Sequence, residues 1–150
     1  GPATRSPRAT WRLRCAPTTR GTPMDDQGAS ERFERGLEQY RKVYGEEAFA
    51  FEEGQSDFFD LMIEQLFGEV WTRPGLEIEQ RRLLVMGVLA AQHHFATLQT
   101  QFTRALAAGE LTPDQVREVV IHLVPYVGYP SSTDLFRVGE AAIAAQASDR

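Results

Sequence analysis

The sequence predicts an all-α, compact multi-helix domain, and three observations carry that prediction. Apolar residues recur at three- and four-residue spacing in several separate stretches. No region sustains the period-2 alternation of a half-buried strand between turn signals. Thr112-Pro113-Asp114-Gln115 is a capping box with proline at the first helical position, a specific helix start. The chain has 150 residues, 42% hydrophobic and 25% charged, which suits one soluble globular domain able to bury a core.

The elements follow in order. Ser30 to Tyr44 places Phe33, Leu37, Tyr40 and Tyr44 on a narrow stripe, the pattern of a peripheral helix, and Gly45 stops it. Ser56 can cap a second helix running through Phe67, with Phe59, Ile63, Leu66 and Phe67 on one face. The stretch GEVWTRPG (68–75) then breaks regularity, because Pro74 disfavours a helical Arg73. A third helix runs from about Glu77 to Gln92. Its second half is apolar on every side, the pattern of a central buried helix. Helical spacing continues from His93 to Ala107, joined or kinked near His93, and Gly109 ends it. The helix opened by the capping box reaches about Tyr126, where Pro125 must kink or terminate it. Gly128-Tyr129-Pro130 is a turn, and Ser131 to Asp134 offer several caps for a last helix to about Ala145.

Charge is unevenly placed. Residues 1–23 hold five of the 16 basic residues and none of the 21 acids, so the remainder carries 11 basic against 21 acidic. A body that acidic lacks the clustered Lys and Arg of a nucleic-acid binder. No apolar run approaches the roughly 18 residues of a membrane span, and a cytoplasmic location is expected. The head at 1–23 shows no apolar periodicity and is expected to be a disordered basic leader: non-native, a native tail, or an organelle transit peptide. The helical domain is expected over 24–150.

The only cysteine, Cys15, lies in that head. The helical body therefore has no CxxC pair and no thiolate metal cluster. His93 and His94 are adjacent, project about 100° apart on a helix and cannot easily share a metal. No metal site is expected. GxSxG, GxxxxGK[ST] and GxGxxG are absent, so nucleophilic-serine, P-loop and dinucleotide readings lack support.

Two groups of residues are suited to chemistry. Arg73, between Trp71 and Pro74, can grip a carboxylate through its planar fork, or form a loop salt bridge with Glu69. Glu118, His122 and Tyr126 step by four along one helix and share a face. That stripe can line a pocket, face solvent, or form a hydrogen-bonded subunit contact. A glutamate at that spacing would favour protonated His122.

Three blocks, FGEVWTRPGL (67–76), RRLLVMGVLAA (81–91) and ALAAGELTPDQVREVVIHLVPYVGYPSSTDLFRVGEAA (105–142), together resemble the carboxymuconolactone decarboxylase family. The pairing of WTRPGL with the YxGxP turn is specific, and the likeness extends from about residue 35 to 144. It implies an AhpD-like, all-α fold assembled as a homo-oligomer, a homotrimer or homohexamer, with pockets near subunit contacts. It also implies two activities. Decarboxylases of the γ-carboxymuconolactone type work without metal or organic cofactor, whereas alkylhydroperoxidase-like members use CxxC followed by histidine.

The chain departs from both patterns. The family histidine falls on Gln101, the CxxC positions fall on His94 and Thr97, and the cysteine found in some YxGxP turns is Val127. Thiol peroxidase chemistry has no thiolate to use here. Decarboxylation needs a grip on carboxylates, stabilisation of an enolate-like anion and a proton donor. In the matched FGEVWTRPGL block Arg73 can supply the grip and Glu69 is a candidate for proton transfer; Gln101 cannot shuttle a proton, a role left to His122 or His94. Trp71, His94, Gln101, Glu118, Tyr126 and Tyr129 are the candidates for substrate contact. The expected function is cofactor-independent decarboxylation, or related lyase or isomerase chemistry, on a small carboxylated lactone or enolisable carbonyl compound. The alternative is a non-catalytic, small-ligand-binding scaffold of the same family.

Overall fold

The computed structural model describes residues 26–149, and the expectations for 1–23 lie outside them. Among the described residues the structure is helical throughout, with no strand. Helix α1 (Asp26–Tyr44) begins four residues earlier than its apolar stripe suggests. It buries Phe33, Leu37, Tyr40 and Val43. The stop at Gly45 holds: its φ of +93° is one that residues with a Cβ rarely adopt. A Cβ there would also lie 2.4 Å from Arg104 Nη2.

Helix α2 (Asp57–Leu61) runs without interruption into a π-helical segment, Met62–Val70. Helical structure thus continues past Phe67 into the stretch expected to break it. The wide register is visible where Trp71 N–H donates to Leu66 O at 2.9 Å, five residues back. The register also moves Leu66 to the exposed side, while Ile63 and Phe67 stay buried. Gly36 explains how closely α1 lies against this segment. A Cβ on Gly36 would sit 2.0 Å from the Ile63 carbonyl oxygen, so only glycine permits the crossing.

Helices α3 (Ile78–Ala91), α4 (Phe95–Ala107), α5 (Pro113–Val127) and α6 (Ser132–Ser148) form the rest, with a single 3₁₀ turn at Tyr129–Ser131. The break between α3 and α4 falls at Gln92–His94, where His93 takes a φ of +59°. The Thr112–Gln115 capping box is made as expected: Gln115 N–H donates to Thr112 Oγ1 at 3.2 Å and Thr112 N–H to Gln115 Oε1 at 2.8 Å. Pro125 does not end α5, which continues to Val127 before Gly128 stops it.

One expectation is corrected. Helix α3 is not buried all round within the chain. Met86 and Ala90 are buried, but Leu84 and Val88 are 61% and 55% exposed and Leu83 is also open. The reason is packing: α4 and α5 lie against α3, Ile78 and Val85 meet the core of α1 and the π-helical segment, and the face with Leu84 and Val88 is left open.

The core has two parts. One is built by α3 to α6 around Met86, Leu98, Phe102, Val116, Leu135 and Val138. The other is built by α1 and the π-helical segment around Phe33, Tyr40, Val43, Ile63, Phe67 and Trp71. Arg82 of α3 joins them from an almost fully buried position. It donates to Val43 O at the end of α1 at 2.6 Å and to Gln101 Oε1 on α4 at 2.8 Å. It also forms a two-point ion pair with Glu110, at 2.6 and 3.1 Å. Gln101 Nε2 in turn donates to Tyr44 Oη at 2.8 Å. A guanidinium buried this deeply is tolerable because a carboxylate and two carbonyl oxygens surround it.

Candidate functional site

A groove of about 510 Å3 lies between α3 and α5. Its walls are Leu83 from α3, Leu111 from the preceding loop, and Val119 and Leu123 from α5. Polar groups enter from α5 alone, as Gln115, Glu118 and His122. The groove adjoins a smaller cavity of about 240 Å3 that shares Leu83, Leu111 and Gln115 and reaches Glu79, Gln80, Arg82 and Glu110. Both glutamines are held by their capping boxes, each Oε1 accepting a backbone N–H, so their amide nitrogens are left to donate.

The expected stripe of Glu118 and His122 therefore does face a pocket, as helical spacing requires. Tyr126 continues it, exposed, with its ring 5.3 Å from that of His122. Glu118 and His122 share the groove but no hydrogen bond joins them. An imidazole set among apolar side chains, with Gln115 and Glu118 on the same helix face, can carry a proton to or from a bound molecule. The apolar walls favour a neutral product over a carboxylate at the same place.

The other candidates lie elsewhere. Glu69 is exposed and pairs with Arg32 at 2.9 Å. Arg73 is exposed, and among the described residues its guanidinium forms no ion pair. The Glu69–Arg73 salt bridge considered from the sequence is not formed. Trp71 is buried against Phe67, with ring centroids 6.2 Å apart, as part of the core. Gln101 is completely buried and both its amide atoms are committed to Arg82 and Tyr44. His94 is exposed at the start of α4. Tyr129 lines a separate apolar groove with Ile121 and Phe136. The structure thus brings together Glu118 and His122, and does not bring Glu69 or Arg73 to them.

Residues missed in the sequence are Arg82, Glu110 and Tyr44. The Arg81-Arg82 pair ahead of an apolar run reads as a solvated helix end, and the partner of Arg82 lies 28 residues away. Among the described residues no group of three or more His, Cys, Asp or Glu side chains could hold a metal ion. No described helix is long and apolar enough to cross a membrane.

Against known proteins, residues 56–141 match the model of the carboxymuconolactone decarboxylase family. The chain is 30% identical over 122 residues to a 4-carboxymuconolactone decarboxylase of Acinetobacter baylyi, covering 78% of this chain and 88% of that protein. It is 34% identical over 84 residues to a nitrosuccinic acid decarboxylase of Metarhizium robertsii, covering 56% of this chain and 58% of that protein. The family match spans α2 to most of α6 and so includes the segment that builds the groove.

Proposed function

As the chain belongs to the carboxymuconolactone decarboxylase family, we propose that it is a carboxy-lyase whose chemistry takes place in the α3–α5 groove. The substrate in this reading is a small carboxylate in which the departing group lies β, or vinylogously related, to an electron-withdrawing lactone, carbonyl or nitro group. The bond to the carboxyl carbon breaks, its electron pair passes into that acceptor, and CO2 leaves. A proton then returns to carbon, and His122 is the donor. No organic cofactor or metal enters this scheme, because the substrate carries its own electron sink.

One observation supports this reading above the rest: the only histidine in the groove, His122, shares it with Glu118 between walls of leucine and valine. The carboxylate is destabilised there relative to water, and neutral CO2 is not. The working form in this reading is a homo-oligomer, a trimer or hexamer, with the open face of α3 covered by a neighbour.

A second reading, a non-catalytic ligand-binding scaffold, is favoured by the fate of Gln101. The side chain at the family's histidine position is locked into the Arg82 network and reaches no pocket. Incubation with carboxylated lactones, β-keto acids and β-nitro acids separates the two readings. The first predicts CO2 release and loss of the conjugated chromophore from at least one compound. Saturable binding by calorimetry without any release supports the second and overturns the first.

A further inference from the structure

The groove has an electrostatic deficit that follows from its lining. The groove and its adjoining cavity present Glu79, Glu110 and Glu118. Arg82 is the one permanent cation among them, and its charge is already matched by Glu110 at 2.6 Å. A carboxylate entering this space meets more negative than positive charge, and its binding is disfavoured unless a further cation arrives.

The loop carrying Arg73 has the opposite property. Its guanidinium is exposed and has no carboxylate partner among the described residues. Val70 and Leu76, three residues to either side of it in the chain, are exposed apolar side chains. The loop is pinned where it stands, because Arg81 donates to Arg73 O at 2.7 Å and to Leu76 O at 3.1 Å. Those bonds fix the backbone of the loop against the start of α3, and Arg73 is not among the residues that line the groove or its adjoining cavity of its own chain. On α3, Leu83 lines the groove, and Leu84 and Val88 of the same helix are also exposed, apolar surface that a second chain would cover.

We infer that the site is completed in trans: the Arg73 loop of a second copy of this chain seats on the α3–α5 face and brings its guanidinium to the groove. The inference deepens the carboxy-lyase reading, since it supplies the carboxylate grip that one chain lacks. Charge complementarity and the matched apolar rims select a second copy as the occupant. Arg73 is then a substrate-binding residue of the neighbouring site, and Glu118 and His122 belong to the chain that hosts the groove.

The test uses the single native cysteine to advantage. In a Cys15→Ser background, Arg73→Cys and Glu118→Cys chains are made separately, co-assembled, and treated with a short bis-maleimide without substrate. The expected result is a covalent dimer in the mixture that exceeds any dimer formed by either variant alone. The double variant is expected to link between chains. Cross-linking confined within monomers of the double variant overturns the inference in favour of closure in cis. A monomeric solution mass with no dimer overturns it outright. Because the readout needs no turnover, it is separable from the carboxy-lyase reading. A cross-linked oligomer that releases no CO2 from any compound sinks the activity and leaves the shared architecture standing.

Discussion

Arg82 places a full charge where the chain's two apolar cores meet, and its partners show why the position tolerates it. Removing Glu110 while keeping Arg82 leaves an uncompensated buried charge, which costs about 3–5 kcal/mol in comparable pairs. Glu110→Gln is therefore expected to lower stability by an amount in that range in urea melts. Arg82→Met with Glu110→Gln is expected to recover much of the loss, because replacing a buried pair with apolar or neutral groups is often near neutral. A double variant no more stable than Glu110→Gln would contradict this account of the pair. The same scale shows what was legible in the sequence. The i, i+4 step from Glu118 to His122 was readable because helix geometry alone puts both on one face. The burial of Gln101 was not, because its partners Tyr44 and Arg82 lie 57 and 19 residues away.

At the scale of elements, the crossing of α1 and the π-helical segment rests on Gly36. The obstruction to a Cβ there is a backbone carbonyl, which cannot rotate away. Gly36→Ala is expected to destabilise the fold by about 3 kcal/mol or to shift α1, as overpacking does. A melting temperature within error of the parent would refute the close crossing. A second element contact is the ion pair between Arg117 of α5 and Glu140 of α6, at 2.8 and 3.1 Å. The hydrogen bond from Arg117 holds the Glu140 carboxyl below its usual range. A depressed carboxylate stabilises the fold above its unfolded pKa and loses that contribution as pH falls through the folded value. The stability difference between parent and Glu140→Gln is thus expected at neutral pH and to vanish in acid. It should also shrink with added salt, since the pair is exposed. Element boundaries were partly legible: the capping box and Gly45 marked helix ends through local chemistry. The π register after Leu61 was not, because it arises from the fit against α1 rather than from any local signal.

For the whole molecule, the all-α fold was readable from periodicity, but the surroundings of α3 were not. Its all-round apolar sequence implied full burial, while the single chain leaves the face with Leu84 and Val88 open. Periodicity reports that a face must be covered and is silent on whether the same chain covers it. In the proposed homo-oligomer, Leu84→Glu is accordingly expected to lower the solution mass while leaving the helical circular dichroism intact. A parent protein that is already monomeric would remove the basis for that expectation. The two-part core also implies that α1 and the π-helical segment depend on the Arg82 junction for their attachment to the four-helix core. Hydrogen exchange in α1 should accelerate in Glu110→Gln before exchange in α4 and α6 does.

The claim that decarboxylation occurs in the α3–α5 groove is tested most directly by comparing CO2 release from the parent and from His122→Gln. Both are to be measured on whichever carboxylated lactone, β-keto acid or β-nitro acid the parent turns over. The account predicts a fall in kcat/KM of about 10²–10⁴, the usual contribution of a positioned proton donor, with an unchanged melting temperature. Equal release by parent and variant, in a folded protein of the same mass, would place the chemistry elsewhere and contradict the account.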